Sequence, residues 1–85
     1  MSPQKTVLLY SRPGCHLCDE ARAQILALRG QGLQFELREI DIETDDGLLA
    51  AYLERIPVVA VDGETISELI LDQDALRARL DTVRA

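Results

Sequence analysis

The sequence has no long apolar run and no excess of positive charge, and each of these absences excludes a class of protein. Nine Lys and Arg residues face 15 Asp and Glu residues, which gives a formal net charge of -6. Nucleic-acid binders carry a basic patch or stripe, so this acidic balance argues against nucleic acid as a partner. The run Val7–Leu9 near the start is too short for a signal peptide or a membrane span. We therefore expect a cytoplasmic protein that binds neither nucleic acid nor a membrane.

Length and composition predict one small globular unit. A chain of 85 residues has room for a single domain, which we place at residues 1–85, and leaves no room for a large buried cofactor cavity. The hydrophobic share of 47% and the charged share of 28% are ordinary for a soluble globular protein. The sequence shows neither an internal repeat nor a low-complexity linker. We expect the chain to fold alone, as a monomer.

Strand and helix signals alternate through the first half of the chain. The apolar run Thr6–Tyr10 indicates a buried strand. Apolar residues then recur at helical spacing from Cys15 until the glycines of residues 30–32 stop the helix. Residues 33–42 read as a second strand, and their apolar positions change parity, which predicts a bulge or an early end.

The second half of the chain continues with a helix, a hairpin and a closing helix. Residues 44–55 predict a helix that is capped at residue 44 or 45 and broken before Pro57. Residues 58–67 predict a hairpin, because Asp62-Gly63 favours the positive backbone angles of a tight turn. Asp72 is placed to cap the last helix. The element order β-α-β-α-β-β-α predicts an α/β fold with a four-stranded mixed sheet and three helices.

The chain's two cysteines, Cys15 and Cys18, lie where the first strand passes into the first helix. The free N–H groups and the dipole of a helix start favour an anion, so Cys15 has more support as a thiolate than Cys18. Two intervening residues on a helical turn bring the two sulfurs close enough for a disulfide. The pair is therefore predicted to exchange disulfides, with Cys15 as the nucleophile and Cys18 as the residue that resolves the mixed disulfide.

Other roles for the same cysteines stay open. A structural disulfide is not expected in a reducing compartment, and zinc needs four ligands where this turn offers two cysteines and His16. We therefore expect no metal site, although an iron–sulfur cluster shared by two chains and a non-catalytic adapter remain alternatives. His16 either favours the Cys15 thiolate as a nearby cation or is a plain exposed residue, while Asp19 and Glu20 oppose the thiolate.

Residues 10–18, YSRPGCHLC, resemble the active-site turn of glutaredoxins within the thioredoxin-fold superfamily. The likeness runs from Thr6 to about Leu80 and is greatest to the short glutaredoxin-like proteins of bacteria that carry Cys-His-Leu-Cys. The resemblance implies a thioredoxin-like fold and a thiol–disulfide oxidoreductase involved in cell redox homeostasis. It also implies a cis peptide bond before Pro57, with Ile56 and Pro57 holding the substrate beside the nucleophile. An ordinary trans proline that ends a helix is the alternative.

The resemblance also raises the question of glutathione. Arg12 lies where many glutaredoxins place a basic residue for a glutathione carboxylate, although a solvated loop arginine is an equal alternative. The chain has Arg55-Ile56-Pro57 where the family usually has Thr-Val-Pro, and residues 67–70, SELI, where it usually has Gly-Gly and a polar pair. We therefore expect no cofactor beyond a redox-active Cys15–Cys18 disulfide, and only weak use of glutathione. The expected partners are protein disulfides or another low-molecular-weight thiol.

Overall fold

A four-stranded mixed sheet with helices packed against it organises the chain. The computed structural model describes residues 5–81. The elements in chain order are β1 (Lys5–Ser11), α1 (His16–Gly30), β2 (Phe35–Asp41), a short 3-10 helix (Ile42–Thr44), α2 (Asp46–Tyr52), β3 (Val58–Val61), β4 (Glu64–Glu68) and α3 (Gln73–Asp81). This order confirms the predicted alternation and the α/β fold. Within residues 5–81, no helix is long and apolar enough to cross a bilayer.

The sheet has the strand order β2-β1-β3-β4. Strand β1 pairs with β2 in parallel and with β3 in antiparallel orientation, and β3 pairs with β4 in antiparallel orientation. All four residues of β3 are buried. A strand that is covered on both faces must be apolar at every position. The chain meets this requirement with the continuous run Val58–Val61.

The main core lies between the inner face of α1, the two central strands and α3. The buried positions of α1 fall at residues 18, 21, 25 and 28, which is the spacing of a single helical stripe. The cluster consists of Val7, Leu9, Ala21, Ile25, Leu28, Phe35, Val59, Val61, Leu71, Leu76 and Leu80. This core fixes α1 on the sheet, and with it the two cysteines at the start of that helix.

The hairpin turn and the helix cap that the sequence predicts are both present in the structure. Asp62 and Gly63 have φ angles of 51° and 89°, the left-handed values that a tight hairpin turn requires. Asp72 Oδ1 accepts a hydrogen bond of 3.0 Å from the backbone N–H of Ala75 and so caps α3. These side chains set where the hairpin turns and where the last helix begins.

The structure decides between the two alternatives for β2 and corrects the predicted end of α2. Strand β2 pairs with β1 in one unbroken register from Phe35 to Asp41, so of the two predicted alternatives the early strand end is confirmed and the β1–β2 pairing contains no bulge. The chain leaves the strand because the Asp41 carboxylate accepts the Glu43 N–H at 2.8 Å and starts the 3-10 turn that buries Ile42. Helix α2 ends at Tyr52, three residues earlier than predicted.

Candidate redox site

The start of α1 presents Cys15 to the helix amides. Cys15 is the N-cap residue, with extended backbone angles, and its Sγ accepts a hydrogen bond of 3.1 Å from the Cys18 N–H. The amides of the first helical turn lack partners within the helix and carry partial positive charge. The sulfur of Cys15 therefore lies where a thiolate would be stabilised in the reduced protein.

The two cysteines form a disulfide across the first turn of the helix, with a Cα–Cα distance of 5.2 Å. Cys15 is partly exposed, whereas Cys18 is fully buried. A thiol or disulfide that approaches from solvent therefore reaches Cys15 first.

A small apolar cluster surrounds the cysteines, and we call it the site cluster. Its buried members are Cys18, Ile42, Ile56 and Val58, and its partly buried members are Tyr10, Cys15, Leu48, Leu49 and Tyr52. The rings of Tyr10 and Tyr52 stack with their centroids 4.6 Å apart. Cys18 is fully buried among the apolar side chains of this cluster.

The predicted substrate-binding residues Ile56 and Pro57 lie in the segment that leads from α2 into β3. Ile56 belongs to the site cluster and Pro57 is fully buried. The peptide bond between them is cis, the isomer that the resemblance implies. The Ile56 N–H donates to the Tyr52 carbonyl at 3.0 Å, which ties this segment to the end of α2. The structure thus brings together residues that are some 40 positions apart in the chain.

The turn after β4 contacts the same segment from the other side. The N–H of Leu69 lies 3.0 Å from the carbonyls of both Arg55 and Pro57, and donates to them. Leu69 has a φ of 67°, a left-handed value that leucine rarely adopts. The sequence carries no signal for this conformation, because glycine or asparagine is the usual residue at such an angle.

Arg12 lies on the rim of a shallow cavity of about 320 Å³ beside residues 12–15, the loop between β1 and α1. Its Nη2 atom is 2.7 Å from Glu43 Oε2, and both side chains are half exposed. The residues that line the cavity are Ser11, Arg12, Pro13, Gly14, Asp19, Arg22, Glu39 and Asp41. Since the guanidinium already has a carboxylate partner, its predicted role toward an anionic ligand would require exchange of that ion pair.

A polar network behind this loop joins β1, α1 and β2. Glu39 accepts hydrogen bonds from Arg22 Nε at 2.7 Å and from the buried Ser11 hydroxyl at 2.7 Å, and Arg22 Nη2 binds the same carboxylate. Arg22 Nη1 also donates to Asp19 at 3.0 Å. The Arg22 hydrogen bonds hold the pKa of Glu39 below its usual range against partial burial, and the Ser11 hydroxyl adds to this effect. Sequence reasoning missed this network, which fixes the end of β1 just before the loop of residues 12–15.

His16 projects into solvent next to the cysteines. Its side chain is 85% exposed, and its Nε2 atom lies 2.8 Å from a Glu20 carboxylate oxygen. The negative charge of Glu20 would therefore offset part of a positive charge on the imidazole. The tuning of Cys15 by His16 stays a prediction.

The part of the chain described here, residues 5–81, contains no group of three or more His, Cys, Asp or Glu side chains arranged to hold a metal ion.

The sheet order, the three helices and the Cys-x-x-Cys pair at the start of the first helix define a protein of the thioredoxin fold. Fasciola hepatica thioredoxin superposes on the chain with a TM-score of 0.64, over 93% of this chain and 80% of that one. Sequence identity is 18%, so this likeness concerns the fold alone.

The chain belongs to the family described as Glutaredoxin-like domain (DUF836), whose model matches residues 6–81. An uncharacterized protein of Mycobacterium tuberculosis is 34% identical over 77 residues, which span 85% of this chain and 78% of that protein. A protein of Nitrosomonas europaea solved by NMR has a TM-score of 0.81 at 30% identity, over 93% and 94% of the two chains. An X-ray structure from X. campestris has a TM-score of 0.73 at 32% identity, over 89% and 96%. The family resemblance is confirmed.

Proposed function

We propose that the chain is a dithiol thiol–disulfide oxidoreductase that works in cytoplasmic redox homeostasis. The observation that carries the proposal is the asymmetry of the cysteine pair. Cys15 is accessible and caps a helix start, while Cys18 is fully buried one turn away and already within bonding distance. An accessible nucleophile and a sheltered second thiol are what two successive exchange steps require.

The first step forms a mixed disulfide. In the reduced protein the Cys15 thiolate attacks one sulfur of a substrate disulfide, so a Cys15–substrate bond forms and the substrate S–S bond breaks. The other substrate sulfur leaves as a thiolate and takes a proton from solvent. The helix amides that stabilise the Cys15 thiolate lower the cost of starting this step.

The second step returns the protein to the disulfide form. Cys18 attacks the Cys15 sulfur, the mixed disulfide breaks, and the proton of Cys18 passes to the departing substrate thiol. Two electrons have then moved from the cysteine pair to the substrate, and an external thiol or dithiol must supply two electrons for the next cycle. Ile56 shares the site cluster with the pair, and Ile56 and the buried Pro57 are proposed to position the substrate chain at Cys15.

The test is a single-turnover reaction of the reduced protein with a chromogenic aromatic disulfide. Cys15→Ser should abolish fast thiol release, and Cys18→Ser should react once and remain as a mixed disulfide that mass spectrometry detects. The native chain should release a second thiol as its own disulfide forms. Fast reaction of Cys15→Ser would contradict the assignment of the nucleophile. Visible absorption in freshly purified protein would favour a bound iron–sulfur cluster instead, and no reaction at all would favour an adapter.

A further inference from the structure

The turn between β4 and α3 displays two large apolar side chains in a strained conformation. Leu69 and Ile70 are 49% and 77% exposed. The Ile70 N–H donates to the Glu68 carbonyl at 2.7 Å, and with a φ of 67° at Leu69 this makes a γ-turn of the rare, strained kind. Strain and adjacent exposed apolar side chains both oppose folding, and such features cluster where a protein binds something.

The γ-turn of residues 68–70 lies next to the proposed substrate path. The Leu69 N–H donates to the carbonyls of Arg55 and Pro57, the residues on either side of Ile56, and Ile56 belongs with the cysteines to the site cluster. Leu17, between the two cysteines, is a further exposed apolar side chain. Exposed apolar side chains therefore lie both between the two cysteines and at the γ-turn that is bonded to the Ile56 segment.

The chemistry of the γ-turn does not suit an anion. The N–H groups of Leu69 and Ile70 already donate to carbonyls of this chain, so neither is available to a carboxylate. Glu68 adds a negative charge, which the Arg55 guanidinium at 3.9 Å only partly offsets. A thiol with two carboxylates, such as glutathione, would meet like charge here, whereas an apolar side chain with a basic neighbour would meet matching surface.

We infer that the γ-turn of residues 68–70 docks the polypeptide chain of an oxidised protein, through an apolar residue next to its reacting cysteine and a basic residue beyond it. The inference rests on the proposed function and names its substrate class. The net charge of -6 would also speed the approach of a basic segment.

The experiment measures second-order rate constants of the reduced protein with two probes, by rapid quenching and alkylation. One probe is a disulfide-linked peptide with leucine beside the cysteine and lysine beyond it, and the other is the small neutral hydroxyethyl disulfide. Ile70→Ser should lower the ratio of the peptide rate to the small-disulfide rate by about five- to tenfold. The matched control is Leu26→Ser, which removes an apolar side chain that is 42% exposed on α1 and should leave the ratio unchanged.

A second set of rate constants tests the preference for a basic residue. Glu68→Gln should slow the reaction with the lysine peptide and accelerate the reaction with glutathione disulfide, and a peptide with glutamate in place of lysine should react more slowly with the native chain.

An unchanged rate ratio in Ile70→Ser, or an equal loss in Leu26→Ser, would overturn the docking role. Failure of the native chain to reduce even hydroxyethyl disulfide would instead overturn the proposed function, so the two failures are distinguishable.

Discussion

Replacement of Glu39 by glutamine tests the network that anchors the end of β1. The substitution keeps the side-chain shape but removes the charge that Arg22 and Ser11 bind. Hydrogen bonds to charged groups contribute about 1.5–3 kcal/mol, whereas exposed ion pairs contribute about 0.2–1 kcal/mol. The Arg22 and Glu39 side chains are 35% and 33% exposed, so solvent screens part of the interaction. We expect Glu39→Gln to lower the free energy of unfolding by about 1–2 kcal/mol at neutral pH.

The pH dependence of that loss follows from the lowered pKa of Glu39. A carboxyl group whose pKa is lower in the folded than in the unfolded state stabilises the fold above the unfolded value, and the contribution is lost as pH falls through the folded value. The difference between native chain and Glu39→Gln should therefore be constant above about pH 5. It should shrink below the ordinary glutamate pKa of about 4.3.

The assay is urea denaturation of the oxidised protein at pH 7 and at about pH 3. Glu36→Gln is the matched control on the same strand, because Glu36 is 3.1 Å from Arg38 and both side chains are mostly exposed. Its loss should stay below about 0.5 kcal/mol. A Glu39→Gln deficit that is as large at pH 3 as at pH 7, or a control that loses as much, would refute the role of the charged network.

Two further substitutions test the local geometry after β4, both by urea denaturation. Leu69→Gly should leave the chain about 1 kcal/mol more stable than Leu69→Ala, because glycine adopts a φ of 67° without the steric cost that any side chain has there. A Leu69→Ala variant that is more stable than Leu69→Gly would contradict the strained turn. Asp72→Ala should cost about 1 kcal/mol through loss of the cap on Ala75, and Asp74→Ala, in the same helical turn, should cost less. Equal losses would mean that the cap is not what Asp72 contributes.

Features that depend on neighbouring residues could be predicted from the sequence. The Asp62-Gly63 turn, the Asp72 cap and the placement of Cys15 at a helix start each follow from side chains within a few positions. The four-stranded mixed sheet then follows from the element order, because few topologies connect such elements without crossings. The parity change near Ile42 left two alternatives open, since a local pattern cannot distinguish a bulge from a strand end followed by a turn.

Features that depend on residues far apart in the chain could not be predicted. Glu39 is 28 positions from Ser11 and 17 from Arg22, and exposed charges of this kind have many possible partners. The pairing of Arg12 with Glu43 was missed for the same reason. The left-handed angle of Leu69 opposes the preference of the residue itself, and is held by hydrogen bonds to carbonyls that only the folded chain brings near.

The stacked rings of Tyr10 and Tyr52 give the site an intrinsic fluorescence signal. They are the chain's two tyrosines, and the chain has no tryptophan, so its near-ultraviolet emission comes from rings 4.6 Å apart beside the cysteine pair. A disulfide quenches the fluorescence of aromatic rings close to it, and a pair of thiols does so less. Emission from the unlabelled native chain should therefore rise on reduction and fall on oxidation, which gives each exchange step a continuous signal without any added dye.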